Sequence, residues 1–218
     1  RDSRPPSISK VAMIGKKIAL IQRALRREDR HALLVGNFGH EVADDVLYYL
    51  LLKKLELGFV LIEQSGRPIL YAIPFEAPAL RRAYPELRVL PYDRAAEKLI
   101  AARVRGRRRL AIRPSALPAH VYTKLTETTS LRLKEWRGDE ELMTVKLTPE
   151  IARIRAACRM TDGLFRSLIR AWHSFMTETD AARFLLERMA AGGAEPSFPP
   201  IIASGSHAAS PHHVSQPK

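Results

Sequence analysis

Apolar residues recur along the chain in two patterns, one with helical spacing and one made of short continuous runs. The first stripe consists of Ile14, Ile18, Ile21 and Leu25. Its spacing places these side chains on one face and predicts an amphipathic helix. The run at 32–37 is apolar and closes on Gly36 and Asn37, so it predicts a buried strand. Helix and strand patterns therefore both occur early in the chain.

The two patterns alternate through the segments that follow. Residues 58–74 are two apolar runs joined by a short polar stretch with Gly66. This arrangement predicts a hairpin, because glycine tolerates the positive φ of a tight turn. The later segments are an apolar run (87–92), a helix (93–104), a strand (108–114), a helix (118–127) and a strand (130–136). Alternating strands and helices predict an α/β domain with a mixed sheet.

A polar, charged segment at 137–148 separates this part from a second one. Thr148, Pro149 and Glu150 then form a strong helix start. Threonine can cap a helix, proline fits its first turn, and glutamate meets the positive end of its dipole. We therefore divide the chain into a tail (1–13), a first domain (14–143) and a second domain (144–218).

The second part predicts two helices and a strand. The first helix carries a stripe of Ile151, Ile154, Cys158, Thr161, Phe165, Leu168 and Trp172. We expect Cys158 to be a buried packing residue of this helix. Thr177 and Asp180 have the spacing of a capping box and start a second helix, which stops at a pair of glycines. The apolar run at 197–205 predicts a strand that enters a glycine turn.

The chain is strongly basic, with 36 Lys and Arg against 23 Asp and Glu and a formal net charge of +13. Its densest basic cluster is Arg103, Arg105, Arg107, Arg108 and Arg109. The cluster is either a solvated edge or a site for a polyanion. It contains no interleaved aromatic residue on which bases could stack, so we do not expect a nucleic acid partner. The adjacent pairs Asp44–Asp45 and Glu140–Glu141 are interpreted as surface charge.

One cysteine and the length of the apolar runs narrow the class of protein further. Cys158 is the only cysteine, so the chain can form neither an intrachain disulfide nor a structural zinc site. No apolar run reaches the roughly 18–20 residues of a membrane span. We therefore expect a cytoplasmic protein without a membrane partner.

The candidate chemistry lies in a cluster of histidines near the C-terminus. The segment SHAASPHHVSQ contains His207, His212 and His213. Imidazole is a common metal ligand and a common proton-transfer group. The cluster is therefore a three-histidine metal site, an exposed loop with incidental histidines, or a site whose histidine works with groups outside this chain.

Three segments of the second part resemble the pita-bread metallopeptidases. TPEIARIRAAC (148–158) is similar to the helix that opens their catalytic domain, with its pattern K-x-P-E-E-I-x-x-I-R-x-A. TETDAARFL (177–185) resembles their second helix. FPPIIASGSHAASPHH (198–213) is similar to their strand and turn, F-x-x-I-V-A-S-G-x-N-A-A-x-P-H-H. The earlier α/β part resembles their creatinase-type N-terminal domain.

The resemblance implies an Xaa-Pro aminopeptidase or prolidase that cleaves the peptide bond before proline. His212 matches the first histidine of the P-H-H motif, which implies a catalytic role in proton transfer. His213 takes the next position and implies contact with the substrate. His207 lies where the family often has asparagine. A proline-containing peptide is the implied substrate, and the wide apolar helix faces favour a homo-oligomer.

The family holds two divalent ions, such as manganese, cobalt or zinc, with two Asp, one His and two Glu. The resemblance places all five ligands beyond Lys218, so no residue of this chain is assigned to the metals. We therefore expect a fragment that is inactive alone. Two other functions stay open: a non-peptidase relative, such as a creatinase, a lyase or a chaperone-type binding module, and a basic nucleic-acid-binding protein.

Overall fold

A computed structural model describes residues 10–38, 44–92, 96–104, 109–128, 131–175 and 177–217. The chain divides into two compact units, Arg1–Pro149 and Glu150–Lys218. The helices of the first unit are α1 (Lys10–Arg27), α2 (Asp45–Leu51), α3 (Ala77–Ala83), α4 (Ala96–Val104), α5 (Ala119–Thr128) and α6 (Gly138–Thr144). Its strands are β1 (Ala32–Asn37), β2 (Gly58–Glu63), β3 (Ile69–Ala72), β4 (Arg88–Pro91), β5 (Arg109–Ile112) and β6 (Arg132–Glu135).

The six strands form one sheet in the order β4-β3-β2-β1-β5-β6. Strand β2 is antiparallel to β1 and β3, while the pairs β3–β4, β1–β5 and β5–β6 are parallel. Strands β2 and β3 are the predicted hairpin, and its turn has φ of 80° at Gly66. The predicted α/β class with a mixed sheet is confirmed.

Neighbouring residues of the strands belong to two different hydrophobic clusters. Leu33 and Val35 pack with the stripe of α1, whereas Ala32 and Leu34 pack with residues of α4 and α5. Since successive side chains of a strand point to opposite faces, the sheet is covered on both sides. This explains why β1 is a continuous apolar run.

Helix α1 begins at Lys10, four residues before the apolar stripe from which it was predicted. Met13 is buried, so the packed face of α1 extends into the segment interpreted as a tail. Helices α2, α3 and α6 were not predicted. Each has seven residues, too short for apolar periodicity to stand out.

The interpretation of Asp44 as surface charge is wrong, because this residue is buried. Its Oδ1 caps α2 by accepting hydrogen bonds from the backbone N–H of Val46 (2.8 Å) and Leu47 (3.2 Å). The same oxygen accepts a hydrogen bond of 2.6 Å from Nη1 of Arg113, which follows β5. Asp44 therefore joins the start of α2 to the end of β5.

The basic cluster is partly neutralised by carboxylates. Arg103 forms an ion pair of 2.6 Å with Glu63, and Arg109 pairs with Asp29. The other members, Arg105, Arg107 and Arg108, lie outside the described residues. The two described arginines therefore favour a paired surface over an open polyanion site.

The second unit is built from α7 (Thr148–Arg170), which begins at the end of the first unit, and α8 (Glu178–Ala191). Leu164 and Leu168 of α7 are buried. The expectation that Cys158 is a buried packing residue is wrong, because its side chain is exposed. Periodicity shows which side chains share a face of a helix, but it does not show what covers that face.

None of the described helices combines the length and apolar character needed to cross a bilayer.

Candidate functional site

The N-terminus of α8 is fixed by the predicted capping box. The side chain of Thr177 accepts a hydrogen bond from the backbone N–H of Asp180, whose carboxylate accepts one from the backbone N–H of Thr177. This reciprocal pair satisfies two backbone donors and fixes the direction in which the helix starts. Glu178 is the first residue of α8 and is 3% exposed. The cap therefore holds a buried carboxylate in place.

The segment after α8 that contacts the carboxylate of Glu178 is a loop. The predicted strand at 197–205 is therefore wrong. Residues 197–204, all of them described, have no regular secondary structure, and a 3₁₀ helix follows at Gly205–Ala209. Pro199 and Pro200 have no backbone N–H to donate to a strand. The predicted glycine turn is present, since Gly205 has φ of 53°.

The carboxylate of Glu178 accepts five hydrogen bonds. Its Oε1 accepts from the backbone N–H and the hydroxyl of Ser204, at 2.7 and 2.9 Å, and lies 2.9 Å from Nδ1 of His207. Its Oε2 lies 2.7 Å from Nε2 of His213 and accepts the backbone N–H of Gln216 at 3.1 Å. One side chain of α8 thus organises the whole loop from 204 to 216.

These contacts keep the carboxyl group of Glu178 ionised. Burial alone would raise its pKa, but the hydrogen bonds from His213, His207 and the backbone of Gln216 and Ser204 hold the pKa well below its usual range. The second unit therefore contains a negative charge that is shielded from solvent and fully hydrogen-bonded.

The structure brings two of the three candidate histidines together. The rings of His207 and His213 stack, with their centroids 4.4 Å apart and their planes at 25°. The side chain of His213 is only 9% exposed. His212, the residue predicted to be catalytic, is exposed and is not part of this group. The P-H-H motif therefore presents one histidine to the carboxylate and its neighbour to solvent.

The group Glu178, His207 and His213 is also the one place among the described residues where candidate metal ligands cluster, with ligand atoms within 4.8 Å of one another. It does not fit a centre for two divalent ions. Such a centre needs several carboxylates, and this group has one, whose two oxygens already accept five hydrogen bonds. The three-histidine metal site is not formed either, because His212 lies apart.

Glu178 was missed by the sequence analysis. Its partners lie 26 to 38 residues away in the chain, so no local spacing marks them. The available signal was the capping box, which places residue 178 at the first position of a helix.

A cavity of about 230 Å³ borders Glu178 and Ser204 and is walled in part by Trp172 and Phe175.

Comparison with known proteins by sequence gives a match to a family model and a match to a single protein. Residues 152–218 match the model of metallopeptidase family M24. Over 75 residues, or 34% of this chain, the sequence is 36% identical to a Mycoplasma pneumoniae protein named "Putative Xaa-Pro aminopeptidase", and the match spans 21% of that protein.

Solved structures resemble almost the whole chain. An Xaa-Pro dipeptidase from Bacillus anthracis is 20% identical with a TM-score of 0.80, over 94% of this chain and 57% of that one. A prolidase from Pyrococcus horikoshii OT3 is 23% identical with a TM-score of 0.76, over 93% of this chain and 56% of that one. This chain therefore spans a little over half the length of these relatives.

The pita-bread resemblance is confirmed by these findings. The fold of this chain, including the creatinase-type α/β fold of its first part, is similar to that of the solved structures. Residues 152–218 match the model of metallopeptidase family M24, and the fold of the chain is similar to that of an Xaa-Pro dipeptidase and a prolidase.

Proposed function

We propose that this chain is part of an Xaa-Pro peptidase, which hydrolyses the peptide bond before a proline with the help of two divalent metal ions. Residues 14–143 are its creatinase-like N-terminal domain, and residues 144–218 are the first part of its peptidase domain. The observation that carries the proposal is the family M24 match over 152–218, which includes the P-H-H motif.

His212 is the proposed catalytic residue of this chain. Its side chain is exposed on the loop that is tied to α8, so it is accessible to a substrate while its backbone is held. Imidazole groups donate and accept protons near neutral pH, which suits proton transfer during cleavage of a peptide bond. We assign His212 this proton-transfer role and not a metal-binding role.

His213 is the proposed substrate-binding residue, and its contact with Glu178 limits how it can act. Its Nε2 is engaged with the carboxylate, so Nδ1 is the ring nitrogen left to contact a substrate. At 9% exposure the side chain has little surface to offer a substrate. Its contribution to turnover should therefore be smaller than that of His212.

The metal ions of a family M24 enzyme would polarise the peptide bond and activate a water molecule. We assign no residue of this chain to them, and the Glu178 group does not fit them. The 218-residue chain by itself should therefore not cleave Xaa-Pro peptides. We place the protein in the cytoplasm as a homo-oligomer, consistent with its single cysteine and the exposed apolar residues of α7.

The test is to compare the full-length gene product with the 218-residue chain, each supplied with manganese, cobalt or zinc. The full-length protein should cleave Xaa-Pro peptides in preference to matched Xaa-Ala peptides, and the shorter chain should cleave neither. Absence of Xaa-Pro cleavage in the metal-loaded full-length protein would favour a non-peptidase relative. Cleavage by the purified shorter chain would show that we have placed the metal ligands wrongly.

A further inference from the structure

We propose that Glu178 is a positioning residue that fixes the tautomers of His207 and His213 and so locks the loop carrying His212 against the start of α8. The assignment rests on contacts within the second unit and on the chemistry of carboxylate and imidazole groups. The link to His212 rests on the proposed function, whereas the assignment of the tautomers does not.

The two ring contacts define where the protons lie. An ionised carboxylate can only accept hydrogen bonds, so each imidazole nitrogen that faces it must carry a proton. The facing atoms are Nδ1 of His207, at 2.9 Å, and Nε2 of His213, at 2.7 Å. The neutral rings must therefore be opposite tautomers, Nδ1–H for His207 and Nε2–H for His213.

Stacking makes this arrangement specific to the pair. The two ring planes are 25° apart with centroids at 4.4 Å, yet the rings present different nitrogens to the two oxygens of one carboxylate. Neither ring can change its tautomer without turning an acceptor nitrogen towards a carboxylate oxygen. That change would cost a hydrogen bond to a charged group.

The backbone contacts anchor the loop at both ends. The backbone N–H of Ser204 donates a hydrogen bond to Oε1 of Glu178, and the backbone N–H of Gln216 donates one to Oε2. The backbone N–H of Thr179 in turn donates to the carbonyl oxygen of Gln216 at 3.2 Å. His212 lies between these anchors, so its backbone position depends on Glu178.

Replacing Glu178 with glutamine makes a sharp test, because one carboxylate oxygen becomes an NH₂ group that can only donate. The oxygen of the amide should take the Oε1 position, where three donors converge, and its NH₂ group should take the Oε2 position. Nε2 of His213 would then face a donor and must give up its proton. His213 should switch to the Nδ1–H tautomer, while His207 should stay unchanged.

The experiment is long-range ¹H–¹⁵N NMR of the imidazoles in the ¹⁵N-labelled 218-residue chain at about pH 8.5, where an ordinary imidazole is neutral. The wild type should show Nδ1–H for His207 and Nε2–H for His213, and Glu178→Gln should convert His213 alone. Glu187→Gln, which removes an exposed carboxylate from the same helix, should leave both tautomers as in the wild type.

The wild-type spectrum decides the question even if Glu178→Gln does not fold. The same tautomer on both rings of the wild type would overturn the proposal, and so would a His213 that stays Nε2–H in folded Glu178→Gln. Zinc added to the wild type should not remove either proton. If zinc displaced both in a Glu178-dependent way, the group would be a metal site and not a hydrogen-bonded clamp. These measurements need no substrate, so they stand apart from the test of peptidase activity.

Discussion

Nε2 of His213 lies 2.7 Å from Oε2 of Glu178, although the two residues are 35 positions apart in the chain. This contact brings the P-H-H motif to the first turn of α8. It also separates the two adjacent histidines, because His213 is turned to the carboxylate while His212 is exposed. The capping box of α8 thus holds the carboxylate, and the carboxylate holds the loop.

Glu178 should make the stability of the second unit depend on pH. Its pKa is lowered in the folded chain. Its contribution to the free energy of unfolding is therefore fully present above the ordinary pKa of 4.5 and is lost as the pH falls below that value. His207 and His213 still donate to the carboxylate when they are protonated. The free energy of unfolding of the wild type should therefore exceed that of Glu178→Gln at pH 7, and the difference should shrink below about pH 4.5.

Urea unfolding measured by circular dichroism at several pH values would check this. Glu187→Gln is the matched control, and its stability should run parallel to that of the wild type throughout. A difference between wild type and Glu178→Gln that stays constant or grows towards acid would contradict the assignment of Glu178 as a stabilising carboxylate.

Asp44 should be among the most sensitive polar positions of the first unit. Asp44→Ala removes the cap of α2 and also removes the buried ion pair that Asp44 forms with the guanidinium of Arg113. Breaking a buried ion pair from one side costs about 3–5 kcal/mol. The neighbouring Asp45 is exposed, so Asp45→Ala should change the free energy of unfolding by less than about 0.5 kcal/mol.

Fluorescence of the buried Trp136 can follow urea unfolding of the first unit if Trp172 is replaced with Phe in all variants. Equal urea midpoints for Asp44→Ala and Asp45→Ala would show that the buried ion pair contributes nothing to stability.

Two glycines should respond to alanine with opposite signs. A Cβ at Gly36 of β1 would lie 2.5 Å from Cβ of Phe59, so Gly36→Ala should destabilise the chain by about 1–3 kcal/mol. A Cβ at Gly15 of α1 would have nothing within 4 Å, so Gly15→Ala should stabilise the helix by about 0.5–1 kcal/mol. The urea midpoint of each variant should be compared with that of the wild type. A shift of both midpoints in the same direction would contradict the prediction.

Elements with a local signal could be predicted from the sequence. Strand β1 and the hairpin are marked by apolar runs, and α8 is marked by the capping box at Thr177. The seven-residue helix α2 could not be predicted, because it is too short for apolar periodicity to stand out. The contact of its cap residue Asp44 with Arg113, at a distant strand end, has no local signal either.

The same limit applies to the candidate site. The histidines stand out because they cluster in sequence, and the resemblance distinguishes His212 from His213. Glu178 does not stand out, because its role depends on contacts across at least 26 residues. The predicted strand failed at Pro199 and Pro200, where the apolar pattern conceals two missing backbone donors.

The most direct test of the account is the turnover number of His212→Ala in the full-length protein, measured on an Xaa-Pro peptide together with the bound metal content. Losing a positioned proton-transfer group costs on the order of 10²–10⁴-fold in rate, so kcat should fall by that much while the metal content stays at the wild-type level. His213→Ala should lose less, because His207 and the backbone of Ser204 and Gln216 still hold Glu178. An unchanged kcat, or a loss of metal, in His212→Ala would contradict the assignment of this residue.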